Sequence, residues 1–375
     1  MKTRILISFA VLTVFQVTTL RAQDELGTLI SESIEDTESA TKAYGGPFLK
    51  AIGTDFNTGW VNTGEPMAIG QFDVRLVGTA AFAPKDDWSF RPADYDLDEA
   101  EKGGLFTNAE TLPTIFGDAT NATIEARATS QDGTEVETKS NIPIETLGVR
   151  GAPMLMPQLN IGFYKGTQLM IRGLPPVNMP SYEELQRLKT SYWAIGLQHD
   201  IKQWIPGLKV APFSWSVYFA YSNASMSLGG PFYTFEMLNE NYYANSGEYL
   251  EQPPALPDYD AQSLEFDTKG VSIGTIVSKQ FSVLTIFGGL EYNASNTEVV
   301  LLGKYPYINY DEEVMHLPGE EGEDELMSIT EETGQMGING GLRLKLWIFS
   351  MSLSGTYVLD GYSSGALSLG VGLFD

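Results

Sequence analysis

Two histidines and no cysteine in 375 residues leave little from which to build a catalytic centre. Without thiols there are no disulfides, no thiolate metal sites and no cysteine nucleophiles. His199 and Asp200 stand at the end of a candidate strand, beside Lys202 and Trp204. A hydrolytic histidine needs both a nucleophile and an orienting group, and no serine is singled out as its partner. The pair therefore reads as a strand end, and the chain is expected to be no enzyme, with no catalytic residue and no cofactor. Asp311 to Glu325 holds eight acids and no Lys or Arg. It lacks the one-three-five spacing and turn glycine of a calcium loop, so it reads as a solvated, self-repelling loop and no metal is assigned. Four further charges, Asp73, Arg75, Arg343 and Lys345, alternate with apolar residues.

That alternation determines where these four charges point. Phe72, Val74, Leu76 and Phe82 lie on one face of a period-two pattern, with Asp73, Arg75 and Thr79 on the other. The pattern returns at 213–221, 342–346, 349–357 and 366–373. Further strands are expected at 57–64, 158–164, 167–173, 190–202, 264–277 and 281–292, with at least one between 119 and 146, making about twelve to fourteen. Several segments reach the roughly 9 to 11 residues that a membrane strand needs. Short links at 165–166, 278–280 and 347–348 contrast with long ones at 224–262 and 293–333, as in barrels with short periplasmic turns and long outer loops. Trp60, Trp193, Trp204, Trp215, Trp347 and Tyr357 near strand ends suggest an aromatic girdle. The fold expected is all-β, a transmembrane antiparallel barrel. Its apolar face then meets lipid, and Asp73, Arg75, Arg343 and Lys345 line the lumen as a transport path or as paired filling.

The N-terminus carries an export pattern. Lys2 and Arg4 precede an apolar run from Ile5 to Phe15, too short to span a hydrocarbon core, and cleavage is expected between Ala22 and Gln23. Loss of Lys2, Arg4 and Arg21 lowers the basic count from 23 to 20 against 48 acids, so nucleic acid is not a partner. Residues 24–43 have helical spacing, and Gly45-Gly46-Pro47 is expected to end that helix. The expected organisation is a signal peptide at 1–22, a helical plug at 23–56 and the barrel at 57–375. A capping box at Ser181 to Glu184 suggests a short helix between strands.

The stretches YGGPFLKAIGTDFNTGW at 44–60, PQLNIGFYKGTQLMIRGLPP at 157–176 and GLQHDIKQWIPGLKVAPFSWSVYFAYS at 196–222 resemble an uncharacterised family of Gram-negative outer-membrane proteins. In plan the chain also resembles the FadL-type transporters, whose barrels pass hydrophobic compounds past an N-terminal hatch. The Asn-Pro-Ala tripeptide of those transporters is absent, and the chain ends on Phe374-Asp375 rather than on an aromatic residue. The resemblance implies the outer membrane as location, with its lipid and the barrel assembly machinery as partners. The function expected is porin-like, passive uptake or binding of a small hydrophobic ligand. The alternative is a structural or adhesive barrel with a filled lumen and acidic surface loops.

Overall fold

The computed structural model describes residues 34–97, 104–121, 123–129, 135–144, 146–179, 187–246, 249–253, 255–308, 314–317 and 325–373. The leader, the helix start at 24–33, the capping box at 181–184 and most of the acidic run at 311–325 lie outside these residues.

Ten strands close an antiparallel barrel. They are β1 (Phe72–Phe82), β7 (Gly151–Tyr164), β8 (Thr167–Met179), β9 (Arg187–Asp200), β10 (Ser214–Gly229), β11 (Ser263–Phe281), β12 (Leu284–Leu302), β15 (Glu325–Leu346), β16 (Phe349–Val358) and β17 (Ser363–Leu373). Neighbours in sequence pair with one another, and β1 closes the ring by bonding β17 on one side and β7 on the other. Ten strands replace the expected twelve to fourteen because 57–64 forms no strand and the strand expected between 119 and 146 lies outside the ring; the ten are also longer than expected, up to 22 residues in β15. They absorb 224–229, 293–302 and 325–333, which had been assigned to loops. The expected strand between 119 and 146 does exist, but outside the barrel. A three-stranded sheet of β3 (Gly104–Phe106), β5 (Thr123–Thr129) and β6 (Glu135–Pro143) forms between β1 and β7. The pair β2 (Ser89–Phe90) and β4 (Leu112–Pro113) lies in the same connection, and the pair β13 (Tyr305–Ile308) and β14 (Val314–Leu317) lies between β12 and β15.

The turns at Lys165–Gly166, Ser282–Val283 and Trp347–Ile348 share one end of the barrel, with the start of β1 and the end of β17. The longest connections, including the one containing helix α2 (Phe235–Ser246), gather at the other end, while the link at 201–213 stays at the short-turn end. Outward positions are apolar over the lower barrel, as at Ile338 and Leu353, each 63 % exposed. Inward positions are polar, as at Ser216, Ser272 and Asn160, all fully buried. Trp193, Trp204, Trp347 and Tyr357 stand exposed on the outer wall, whereas Trp60 is 1 % exposed inside the barrel and belongs to no girdle.

Helix α1 runs from Ile34 to Asn57, straight through Gly45-Gly46-Pro47. A proline and two glycines inside a helix cost about 5 kcal/mol together. Phe48, Leu49, Ile52 and Phe56 are all buried, and each contributes roughly 1.5–3 kcal/mol, which outweighs that cost. Tertiary packing overrides the local stop signal. Gly53 lets α1 lie against the wall: a Cβ there would meet the Ser295 side chain, its Cβ at 2.9 Å, and Thr297 Oγ1 at 3.0 Å. Gly53→Val is expected to lower unfolding free energy by about 1–3 kcal/mol, and the added Ser295→Gly to recover part of it, in denaturant titrations. A neutral Gly53→Val would mean that the helix does not touch β12.

Candidate functional site

The chemistry gathers where the N-terminal segment passes through the lumen. The first half of α1 lies outside the barrel. Ala40 and Ala43 pack with Phe90, Leu97, Leu105 and Leu112 of the β1–β7 connection, and Asp36 accepts from the Leu105 amide at 3.1 Å. Ile115 donates its amide to the Tyr44 carbonyl at 3.0 Å. At the mouth, Lys50 lies 3.8 Å from Asp87 and 3.5 Å from Glu331, tying the helix to that connection and to β15. Tyr362 donates to Asp87; burial, then the carboxylate beside it, pushes its phenol well above the ordinary tyrosine range. These partly exposed ion pairs are worth little singly, and the apolar contacts carry the anchoring.

Beyond Asn57 the chain descends through the lumen without regular structure. The expected strand at 57–64 is absent, because the backbone here bonds to side chains of the wall and not to a neighbouring strand. Arg172 donates to the carbonyls of Thr58 at 2.9 Å and Phe56 at 3.4 Å, and to Gln158 Oε1 at 2.8 Å. Its guanidinium lies 4.1 Å from the Trp60 ring centre. Gln158 donates to the Trp60 carbonyl at 3.0 Å, and Gln198 to that of Thr63 at 2.7 Å. Lower down, the Gly64 amide donates to Ser278 and the Met67 amide to Gln168. The chain leaves at the short-turn mouth, where Gly70 bonds the Gly162 carbonyl before β1 begins. Every non-proline backbone group is an obligatory partner, and in this segment wall side chains on β7, β8, β9 and β11 meet the need.

Three of the four sequence-predicted charges are buried facing this segment: Asp73 at 1 %, Arg75 at 4 % and Arg343 at 9 % exposure. Arg75 lies 3.9 Å from Asp73 and donates to the Trp60 carbonyl at 3.4 Å. Lys345 is half-buried near the short-turn mouth. Arg172, Gln158 and Gln198, which hold the segment most directly, were missed. The signal was present: Gln158 and Asn160, then Gln168 and Arg172, recur on one face of two adjacent strands.

Two buried carboxylates have opposite surroundings. Glu291 accepts from Tyr218 at 2.8 Å and Asn339 at 2.6 Å on one oxygen, and from Asn293 at 3.0 Å and Thr356 at 2.9 Å on the other. Asp55 is fully buried on α1; the Thr79 hydroxyl and Ala81 backbone face it, but neither oxygen closes a well-formed hydrogen bond. His199 sits on the outer wall, its Nδ1 2.8 Å from the Thr167 hydroxyl and its Nε2 accepting from the Trp204 indole at 2.8 Å. Neither partner is a serine.

Arg172→Met keeps the bulk of the side chain and removes all three donors. We expect amides of residues 56–64 to exchange 10- to 100-fold faster, corresponding to about 1–3 kcal/mol. Unchanged exchange would show that the guanidinium does not hold the segment.

No curated protein matches the sequence. Solved structures with a likeness to the fold include the translocator domain of the autotransporter NalP from Neisseria meningitidis, at 10 % identity, covering 90 % of this chain and 97 % of that one, with a TM-score of 0.28. Ail, the attachment invasion locus protein of Yersinia pestis, has 9 % identity, coverages of 80 % and 97 %, and a TM-score of 0.23. A Pseudomonas aeruginosa FadL homologue has 8 % identity, coverages of 81 % and 90 %, and a TM-score of 0.22. Scores of this size carry no argument about function. The sequence itself matches a family over residues 1–373, and the chain belongs to it: the family of unknown function DUF6588.

Proposed function

We propose that the protein is an outer-membrane barrel held shut by its own N-terminal segment, which acts through its loop-bearing face and not as an open pore. The observation that carries this reading is the threading of residues 34–71. The segment is anchored by apolar packing above one mouth and bonded to the wall at the other, so it cannot swing aside as a hinged hatch does. A helix about 10 Å across fills most of what ten strands enclose, since eight strands leave room only for side chains. The apolar outer wall supports membrane insertion. On β12 the outward residues from Ile286 to Ala294 form a band of about 21 Å at ordinary strand tilt, near the roughly 25 Å expected of such barrels.

A second reading, uptake or binding of a small hydrophobic compound, is favoured by the upper lumen. Met154, Met156 and Met226 lie there with Phe266 and Leu174, all in or against one buried cluster, and Met170 sits lower, opposite Asn160. Methionine surfaces adapt to ligands of varied shape. Such uptake requires part of α1 to shift, with Asp73, Arg75, Arg343 and Lys345 below as the polar exit.

Planar bilayers separate the readings. The full chain should give no conductance steps, and a chain lacking residues 34–56 should give steps. Steady conductance by the full chain would overturn the closed barrel. Native mass spectrometry of protein extracted from its own membrane, showing an apolar adduct that is lost with residues 34–56, would instead establish uptake.

A further inference from the structure

The lower lumen is basic in a chain whose formal net charge is −25. Arg75, Arg172 and Arg343 are all buried there, and Arg75 lies within electrostatic reach of both the others. Asp73 is the buried carboxylate that faces them. Toward the mouth, the half-buried Lys345 and the exposed Glu65 offset each other. Asp55 lies higher, against Thr79 and Ala81, and Glu291 stands on the opposite wall among four donors of its own. A guanidinium stays protonated in a protein, so two positive charges are in excess around Arg75. Water can bond such groups but leaves the charge uncompensated, and an unpaired buried charge is strongly destabilising.

The donor geometry supplies the seat. In register, Arg75 on β1, Gln158 on β7 and Arg172 on β8 form one inward row, and Asn160 stands in the row beneath, diagonal to both arginines. Arginine only donates, so Gln158 turns its oxygen to Arg172, at 2.8 Å. Its amide nitrogen then donates to the Trp60 carbonyl at 3.0 Å and to Asn160 Oδ1 at 2.7 Å. Asn160 is thereby fixed with Nδ2 turned away from Gln158, and that nitrogen is buried with no acceptor. Arg75 Nε, Arg172 Nη2 and the Trp60 indole Nε1 are buried donors of the same network and equally unmatched. Against these four donors, the unmatched acceptor of the two rows is Asp73 Oδ1, opposite Asn160. Donors exceed acceptors here as positive charge exceeds negative. The Tyr192 and Tyr218 phenols near Arg172 add no negative charge.

We infer that the lower lumen binds one small inorganic anion of halide size, seated on Asn160 Nδ2 between the guanidiniums of Arg75 and Arg172. The donors are sealed from bulk water, which favours a monatomic ion over an oxyanion or an organic acid. Met170, opposite Asn160 on β8, gives the seat an apolar side. The inference rests on the threading of residues 57–64 in the closed-barrel reading, because the Trp60 carbonyl aligns both Arg75 and Gln158.

Chloride is the probe, with the purified full chain in a nonionic detergent. Chloride replaces gluconate at constant ionic strength while the chloride NMR linewidth and the urea unfolding midpoint are followed. A saturable excess linewidth and a midpoint that rises with chloride are expected, since an ion held by the folded state alone stabilises it. Asn160→Asp supplies a fixed negative charge at the seat. Its chloride affinity should fall by about 10-fold or more, while its midpoint without chloride should match that of the unaltered chain with chloride. Asn160→Leu removes the donor and supplies no charge, so it should lose affinity by about 10-fold without that recovery. Lys279→Ala, which removes an exposed cation of the outer wall, should alter neither measurement. Absence of excess linewidth with a midpoint indifferent to chloride would overturn the site in favour of water, as would undiminished binding by Asn160→Asp. Displacement of chloride by sulfate or phosphate at about a tenth of its concentration would overturn the assignment to a monatomic ion. Absent binding in a chain that gives no bilayer conductance removes the anion site alone, whereas absent binding with steady conductance counts against the threaded segment as well.

Discussion

Closure of the hydrogen-bonded ring is the constraint on which the rest depends. A sheet in hydrocarbon cannot leave an edge, because each unpaired amide or carbonyl there costs several kcal/mol. β1 meets that demand by pairing over its whole length with β17 on one side and β7 on the other, although β7 begins 69 residues after β1 ends. The intervening chain is carried out of the ring into separate small sheets at one mouth. Once the ring closes, period two has only one arrangement compatible with lipid, apolar side chains outward and polar ones inward. The buried serines, threonines, glutamines and arginines of the lumen follow from that arrangement.

A polar interior of this kind is costly unless something pairs with it. The threaded N-terminal segment supplies the partners. Its irregular stretch presents unbonded carbonyls, and the wall presents donors from Arg172, Gln158 and Gln198. Each satisfies the other, so filling the lumen and holding the segment are one interaction. Trp60 adds an aromatic face for the Arg172 guanidinium, which replaces part of the hydration lost on burial. Glu291 shows the same logic within the wall, with four donors around one carboxylate, whereas both Asp55 oxygens, Asn57 Oδ1, Trp60 Nε1 and Arg172 Nη2 mark places where the match between segment and wall is incomplete.

The two ends of the molecule thereby acquire different characters. At the short-turn mouth the segment is held to the wall by polar contacts. The other end carries the small sheets, α2 and the first half of α1, held by aromatic and aliphatic packing together with ion pairs of Lys50, Arg91 and Arg150. Gln262 organises part of it, accepting from the amides of Phe232 and Tyr233 and donating to the carbonyls of Tyr233 and Lys304.

What the sequence determined by itself was local: a strand's two faces, and hence the inward direction of Asp73, Arg75 and Arg343 and the outward direction of Leu353 and Leu369. The grouping of short and long connections at opposite ends was also legible, because it follows from counting alternate strands back from the C-terminus. Three things were decided only by tertiary structure. Strand length depends on how far each pair zips, and β11, β12 and β15 continue past the apolar band because polar residues pair as readily above it. The stop signal at Gly45-Gly46-Pro47 fails because its local cost is smaller than the burial of Phe48, Leu49, Ile52 and Phe56. Residues 57–64 are a strand candidate in sequence but lie inside the ring, where Arg172, Gln158 and Gln198, some 100 residues away in sequence, take up backbone groups that a neighbouring strand would otherwise bond. Periodicity records which faces differ along a segment and carries no information about which distant groups will pair with its backbone.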